Sequence, residues 1–185
     1  MRSVVVRGDG VELAEWQDGD LEWLKAHNDG AYDVDRDERP MPLQVQAYRL
    51  VIAAGDEVLG NVSWHAVSYG PNFGSVAWNL GIGLLPAARG RGVGAEAVRL
   101  LVRYLFETTE VDRLEASTDV TNVPAQRTLE RAGFTREGVL RGAQERAGVR
   151  HDLIGYSLLR TDVTDEKLTA SQNASAELAS EDGRL

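Results

Sequence analysis

The spacing of apolar and polar residues predicts an antiparallel meander in the first half of the chain. Leu21 to His27 has the periodicity of a short amphipathic helix, with Asp18-Gly19-Asp20 as its cap. Strands are predicted at Ala47 to Ala54, Val58 to Val67 and Ser75 to Leu85, because each run is apolar and ends in turn residues. Short turns of this kind join antiparallel neighbours.

The second half alternates strand and helix. Apolar residues at helical spacing predict a long helix from near Ala95 to Thr108, and Arg113 to Thr118 reads as the next strand. Pro124 fits the first turn of a second helix that runs to Arg131. The last predicted elements are a strand that starts at Phe134 after the helix stop Gly133, and a hairpin that turns near Ala147 and Gly148 and ends in Leu153 to Leu159.

Two segments lack this periodicity. Asp29 to Pro42 is a polar loop, whose carboxylates between Asp29 and Glu38 are candidates for holding a cationic substrate. From Thr164 the chain is rich in Ala, Ser, Glu and Asp, which predicts a disordered tail. With 185 residues, 43% of them hydrophobic, the chain can build one sizeable core. We therefore predict one domain over residues 1–163 and a polar tail over 164–185.

The join between the third predicted strand and the long helix is rich in glycine and arginine. It reads Pro86-Ala87-Ala88-Arg89-Gly90-Arg91-Gly92-Val93-Gly94. Glycines let the backbone come close to a ligand, and the first N–H groups and the dipole of the helix favour an anion there. The segment therefore predicts a phosphate-binding turn.

Composition narrows the chemistry. The absence of Cys excludes disulfides and cysteine nucleophiles, and with three scattered His residues we predict no metal site. A net charge of −9 argues against a nucleic-acid partner and suits a small cationic substrate. The first residues are too short an apolar run for a secretory signal and no later run is long enough to span a membrane, so we expect a cytoplasmic protein with no membrane partner.

In this order, the motifs resemble the GNAT superfamily of N-acetyltransferases, and within it the RimJ/RimL-like N-terminal acetyltransferases. The resemblance covers about residues 10 to 160 and rests on a multi-part pattern. Its parts are Arg89 to Gly94, similar to the signature Arg/Gln-x-x-Gly-x-Gly/Ala and followed by Glu96-Ala97, then Asn122 to Ala125, Glu130 to Phe134, Gly138 to Arg141 and Asp152 to Leu159.

The resemblance implies an α/β (α+β) GNAT fold, with a mostly antiparallel twisted central sheet that is splayed at the acetyl-CoA site and flanked by helices. It implies acetyl-CoA as acyl donor, with the diphosphate on the backbone amides of the glycine turn and the pantetheine arm paired with a strand like an extra strand. Asn122 would bind the pantetheine, and Arg127 or Arg131 a phosphate, although an exposed helix face explains these two arginines equally well. The implied binding residues are Ile82, Gly83, Leu84, Arg89, Gly90, Arg91, Gly92, Val93, Gly94, Asn122, Arg127 and Arg131.

The acceptor implied by the resemblance is a primary amine, either a protein N-terminal α-amine or a small amine such as an aminoglycoside-like antibiotic. Family members often carry Glu at the position of Asn79, Ser at that of Ala125 or Tyr at that of Leu129, and none of the three residues here can do acid or base work.

Two residues are therefore the catalytic candidates. Asn79 would position the substrate or a water, and His65 in the neighbouring strand would act as the base, although an ordinary strand histidine is an equally good interpretation. His151 beside Asp152 is a second candidate for the base, whereas Asp152 fits a family position that anchors the last hairpin.

Two other classes of function stay open. One is a non-catalytic acyl-CoA-binding sensor, because the usual acid and base residues are missing. The other is a dinucleotide-binding oxidoreductase, because Gly90-x-Gly92-x-x-Ala95 fits a degenerate fingerprint, although a meander precedes it rather than a parallel βαβ unit. A homodimer is compatible with each.

Overall fold

The computed structural model describes residues 2–31 and 45–163, which form one eight-stranded sheet with helices packed on it. The predicted tail from Thr164 and residues 32–42 of the predicted loop lie outside the described residues. The strands are β1 (Val4–Arg7), β2 (Glu12–Glu15), β3 (Ala47–Ala54), β4 (Glu57–Ser68), β5 (Val76–Leu84), β6 (Arg113–Asp119), β7 (Thr135–Arg146) and β8 (Val149–Leu159), and the α-helices are α1 (Asp20–His27), α2 (Val93–Thr108) and α3 (Val123–Arg131).

The strand order is β1-β2-β3-β4-β5-β6-β8-β7, and every neighbouring pair is antiparallel except β5 and β6. These two are parallel because α2 crosses from the end of one to the start of the other. The predicted mixed fold with a mostly antiparallel sheet is confirmed. A doubly wound parallel sheet, which a dinucleotide-binding oxidoreductase would need, is not what the described residues form.

The parallel pair separates soon after it begins. Residues 78–80 of β5 pair with residues 114–116 of β6, and no described pair joins the two strands beyond that point. Instead, β5 stays paired with β4 as far as Leu84, and β6 stays paired with β8 as far as Asp119. The sheet is therefore splayed between β5 and β6, as predicted.

The core lies between α2 and one face of the sheet. Leu100, Leu101 and Leu105 of α2 are at most 2% exposed and belong to one apolar cluster with Trp64 and Tyr156. Each fully buried Leu contributes about 1.5–3 kcal/mol relative to an exposed one. This packing holds α2 against the sheet.

Some sequence predictions at the N-terminal half need correction. The strands β1 and β2 have no counterpart in the predictions, and α2 begins at Val93 rather than near Ala95. The cap of α1 is Gly19 in a left-handed conformation, without a side-chain cap bond. The Asp20 carboxylate instead accepts hydrogen bonds from Arg2 and the Gln17 N–H. Within the described ranges, no helix is long and apolar enough to cross a membrane.

Candidate functional site

A cavity of about 710 Å³ opens where β5 and β6 diverge. One wall is the C-terminal half of β5 with the turn that leads into α2, and the other is the end of β6 with the start of α3 and the β7–β8 hairpin. Among the predicted binding residues, those that line the cavity are Ile82, Gly83, Leu84, Arg89, Gly90, Gly92, Gly94, Asn122, Arg127 and Arg131. Arg91 of the glycine turn and Val93, the first residue of α2, do not line the cavity.

The turn before α2 needs its glycines for two different reasons. Gly90 and Gly92 have φ angles of +73° and +83°, which L side chains rarely adopt, and a Cβ on either would meet nothing within 4 Å. A Cβ on Gly94 would instead lie 3.3 Å from both the Leu84 and the Thr128 side chains, so this glycine lets α2 approach its neighbours closely. The N-cap Gly92 has no side chain to bind the first N–H groups of α2, which leaves them as an anion site.

Arg89, a predicted phosphate ligand, is engaged by a carboxylate. Its Nη1 and Nη2 donate to Asp29 Oδ2 at 2.5 Å and Oδ1 at 2.9 Å, and its Nε donates to the Leu84 carbonyl oxygen at 3.1 Å. The hydrogen bond from Arg89 lowers the pKa of Asp29 to about 2. The pair is well exposed, so it links the residues after α1 to the turn without closing it off from solvent.

Asn122 serves the start of α3. Its Oδ1 accepts a hydrogen bond from the Ala125 N–H at 3.3 Å, which makes it the N-cap. The cap uses the amide oxygen, so a ligand in the cavity would meet the amide nitrogen.

The two predicted catalytic residues lie side by side but do not line the cavity. His65 on β4 and Asn79 on β5 are direct cross-strand partners. Asn79 Nδ2 donates to Glu115 Oε1 at 3.1 Å, and Tyr69 Oη donates to Glu115 Oε2 at 2.5 Å. Glu115 is buried, and its hydrogen bond with Tyr69 raises the pKa of that phenol.

Glu115 and Tyr69 are absent from the sequence predictions. The only signal for the contact between Asn79 and Glu115 is the register of a parallel pair, in which these two residues are opposite each other. That register joins strands separated by a helix, and local patterning does not specify it.

A second group of polar residues lies at the hairpin end of the cavity, and of its members the sequence analysis singled out His151 alone. Asp119 is 5% exposed, and its Oδ1 accepts from the Thr121 N–H at 2.7 Å and from Thr121 Oγ1 at 2.6 Å. Its Oδ2 bonds the guanidinium of Arg146 and lies 3.4 Å from His151 Nδ1. His151 therefore faces Asp119 rather than its sequence neighbour Asp152.

Asp152 anchors the hairpin, as predicted. Its Oδ1 accepts a hydrogen bond from the Gly142 N–H at 2.7 Å. Gly142 has a φ of +55° and lies where the register of β7 against β8 shifts between Leu140 and Gln144. A bulge of this kind redirects the side chains that follow it. Gln144 and Arg146, both beyond the shift, line the cavity.

Comparison with known proteins agrees with this geometry. Residues 11–135 match the family model described as an acetyltransferase (GNAT) domain. The Bacillus subtilis (strain 168) protein named "Probable N-acetyltransferase YjcK" is 33% identical over 115 residues, which are 62% of each chain. The chain spans less than two thirds of the length of the curated relatives it first matches.

Solved structures show the same fold. Mycobacterium smegmatis RimJ, solved in complex with CoA-disulfide, superposes with a TM-score of 0.70 at 17% identity over 90% of this chain and 92% of that one. The microcin C7 self-immunity acetyltransferase MccE, in complex with acetyl-CoA and AMP, has a TM-score of 0.52 at 25% identity over 61% of each chain. Because the family model covers more than half of the sequence and the splayed sheet carries its glycine turn, this chain belongs to the GNAT acetyltransferase domain family.

Proposed function

We propose that the protein is an N-acetyltransferase that moves the acetyl group of acetyl-CoA to a primary amine. The observation that carries the proposal is the cavity between β5 and β6, which continues from an unpaired strand edge to a glycine turn at a helix start. A long ligand with amide groups in its arm and phosphates at one end fits that combination. Family membership and the acetyl-CoA complex of MccE support the same donor.

In this proposal the two ends of the donor bind different parts of the chain. The diphosphate binds the backbone N–H groups of residues 89–94, with Arg127 and Arg131 as cationic partners from α3. The pantetheine arm pairs with the free edge of β5 at Ile82–Leu84, and the Asn122 amide nitrogen donates to it from the opposite wall. These roles follow from the resemblance and from the position of each residue at the cavity.

The reaction requires an uncharged nitrogen. The amine forms a bond to the acetyl carbonyl carbon while the carbon–sulfur bond breaks, the sulfur leaves as a thiolate, and the nitrogen gives up one proton. An α-amino group titrates near ~8 and a lysine side chain near ~10.4, so an α-amine needs less help to lose its proton. An N-terminal α-amine of a protein or peptide is therefore the preferred acceptor, with a small amine as second candidate.

His65 and Asn79 stay the predicted catalytic residues. The bond from Asn79 Nδ2 to Glu115 leaves Asn79 Oδ1 as the atom that would accept a hydrogen bond from the amine. His65 is the predicted base on the adjacent strand. A cytoplasmic location, a homodimer and the domain bounds at residue 163 likewise stay predictions.

The test combines binding with turnover. A thermal-shift series with acetyl-CoA, NAD and FAD should show stabilisation by acetyl-CoA alone. Thiol release from acetyl-CoA is then followed with a tripeptide amide, spermidine and kanamycin as acceptors, and we expect release with at least one of them. Stabilisation by acetyl-CoA without release for any amine would favour the sensor, and stabilisation by NAD or FAD alone would reject the donor assignment.

A further inference from the structure

Arginines dominate the charge of the cavity wall. Among the described residues that line it, four are arginines and one is an aspartate. Arg127 and Arg131 belong to α3, and Arg89 to the glycine turn, which are the parts assigned above to the donor phosphates. Arg146 is the one that remains, and it lies on the hairpin wall, where Asp119 ends β6.

Arg146 is held in place but not fully used by the protein. Its side chain is 14% exposed, and one nitrogen of its guanidinium bonds Asp119 Oδ2. Its Nε is buried with no hydrogen-bond partner in the part of the chain that the structure describes. A guanidinium has five N–H donors in a planar fork, and a buried donor without a partner is rare in a folded protein. The guanidinium therefore has donors that the described residues leave unpaired, and the partly exposed side chain lines the cavity.

The backbone around Arg146 is built to place it there. The register shift in β7 lies between Leu140 and Gln144 and precedes Arg146 on the same strand. The bulge is fixed on both sides, because the Gly142 N–H donates to Asp152 and the Gly142 carbonyl accepts from Arg150 Nη1 at 3.1 Å. Asp119 in turn is held by the Thr121 N–H and hydroxyl, so it is a rigid partner for the guanidinium.

The charge of this end of the cavity favours one kind of ligand atom. Asp119 compensates the charge of Arg146, so the pair attracts neither a polycation nor a second carboxylate strongly. A guanidinium bonds carboxylates and phosphates most strongly, and here Asp119 already supplies the carboxylate. The remaining N–H donors can then take a neutral oxygen with free lone pairs. The net charge of −9 of the whole chain, which suits a cationic substrate, is therefore not the charge that a ligand meets here.

We propose that Arg146 is a specificity-determining residue of the acceptor site, and that its guanidinium binds the carbonyl oxygen next to the amine of a peptide-like acceptor. The inference rests on the proposed function for the position of the amine, but not for the binding of the oxygen. Arg146 would select an acceptor in which a carbonyl follows the α-amine, and would discriminate against polyamines and aminoglycosides, which have no carbonyl oxygen next to the amine. Asp119 is a positioning residue that acts through Arg146.

The test uses two acceptors that differ in one group. These are the dipeptide alanyl-alanine amide and its counterpart in which the first carbonyl is reduced to a methylene. The value of kcat/KM is measured for both with the wild type, Arg146→Met and the control Arg136→Met, an exposed arginine on the same strand that does not line the cavity. The reduction also makes the following nitrogen a basic secondary amine. Because each enzyme meets the same two acceptors, this added charge and the difference in amine pKa are common to all three enzymes, and the comparison is between enzymes for each acceptor.

We expect Arg146→Met to lower kcat/KM for the dipeptide amide by about 10- to 100-fold, the range for losing one hydrogen bond from a charged donor. The reduced counterpart should change by less than about threefold, and Arg136→Met should change neither value. Equal losses on both acceptors, or no loss on the dipeptide amide, would overturn the proposal. So would a wild type that prefers the reduced acceptor.

Arg146→Met leaves Asp119 without its cationic partner and can therefore unfold the protein, so a second variant is needed that keeps the charge. Arg146→Lys keeps a positive charge beside Asp119 and should keep the wild-type melting temperature, but it lacks the planar fork. Its Kd for alanyl-alanine amide is measured by calorimetry with CoA bound, which needs no turnover. A Kd raised several-fold supports the proposal even if no amine is acetylated, and an unchanged Kd contradicts it.

Discussion

At the scale of single residues, Arg89 lies between an observed carboxylate partner and the proposed diphosphate site. The Asp29 carboxylate holds its guanidinium through two hydrogen bonds, while the neighbouring N–H groups of the turn form the proposed diphosphate site. A carboxylate and a phosphate oxygen compete for the same planar donors. In the proposed donor complex, Asp29 and the phosphates therefore compete for Arg89.

Replacing that carboxylate should strengthen donor binding. We expect Asp29→Asn to lower the Kd of acetyl-CoA several-fold, because Arg89 is then released toward the phosphates. Titration calorimetry measures this Kd, and Asp9→Asn, a change at another exposed aspartate, is the control. An unchanged or higher Kd for Asp29→Asn alone would show that Arg89 does not reach the donor.

The ion pair of Asp29 and Arg89 should not depend on pH in the neutral range. The pKa of Asp29 is lowered to about 2 from an ordinary 3.8, so its contribution to stability is present above pH 3.8 and is lost as pH falls through about 2. The carboxylate is thus fully ionised between pH 5 and 8. The ratio of the acetyl-CoA Kd values of wild type and Asp29→Asn should therefore be the same across that range.

The contribution of Tyr69 to stability has the opposite pH dependence, because it is lost as pH rises. Its hydroxyl donates to the buried Glu115, and this bond raises its pKa, so the stabilisation exists below the ordinary phenol value and is lost as pH rises through the raised one. We expect Tyr69→Phe to lower the free energy of unfolding by about 1 kcal/mol at pH 7. Urea unfolding should show this difference shrinking above pH 10.

The control for that experiment is Tyr48→Phe. Tyr48 contacts Trp64 and Trp78 through its ring, which phenylalanine preserves. A similar loss in both variants would mean that the hydroxyl of Tyr69 contributes nothing specific through Glu115.

How much of the site can be predicted from the sequence depends on how far apart the contacting residues are in the chain. The glycine turn is contiguous, so local chemistry alone suggests an anion site over residues 89–94. Asn79 and Glu115 are 36 residues apart and Arg146 and Asp119 are 27 apart. These contacts exist only after strand pairing, and no local pattern marks them.

At the scale of elements, the turn that opens α2 can be separated from its function. Gly92 and Gly10 have φ angles of +83° and +69°, and a Cβ on either meets nothing within 4 Å. Ala at each position should cost about 1–2 kcal/mol of stability, since the backbone conformation is the only strain. Thermal unfolding should show similar losses for the two variants.

Only one of the two glycines lines the cavity. Gly92→Ala should therefore raise the Kd of acetyl-CoA about tenfold or more, while Gly10→Ala leaves it unchanged. Equal donor affinity in both variants would separate the turn from the diphosphate and remove the main support for its role.

The elements themselves were predictable to different degrees. The bounds predicted for β3 agree with those observed, and α3 begins at Val123, which puts Pro124 in its first turn as predicted. The strands β1 and β2 were missed because a segment of four residues is too short to show a clear alternation of apolar and polar positions. These strands are stabilised by the pairing of β1 with β2 and of β2 with β3. The early start of α2 depends on the left-handed Gly92, which the apolar periodicity does not record.

At the scale of the whole molecule, one helix crossover decides the architecture. The chain meanders through antiparallel strands as far as β5, and α2 then carries it across so that β6 runs parallel to β5. From α1 onward, the order of elements along the chain was predictable from the pattern of the residues. That β8 inserts between β6 and β7 was not, because strand order depends on tertiary pairing.

Because β5 and β6 diverge partway along their length, the sheet has a gap between these two strands. Beyond Leu80 the open side of β5 presents main-chain groups, and these read only the amides and the length of what enters. The far wall includes side chains of a bulged hairpin that Asp152 anchors, and in our proposal these side chains contact the acceptor. In this proposal the backbone binds the donor and side chains bind the acceptor. We therefore expect that a few substitutions on the hairpin change the acceptor without weakening donor binding.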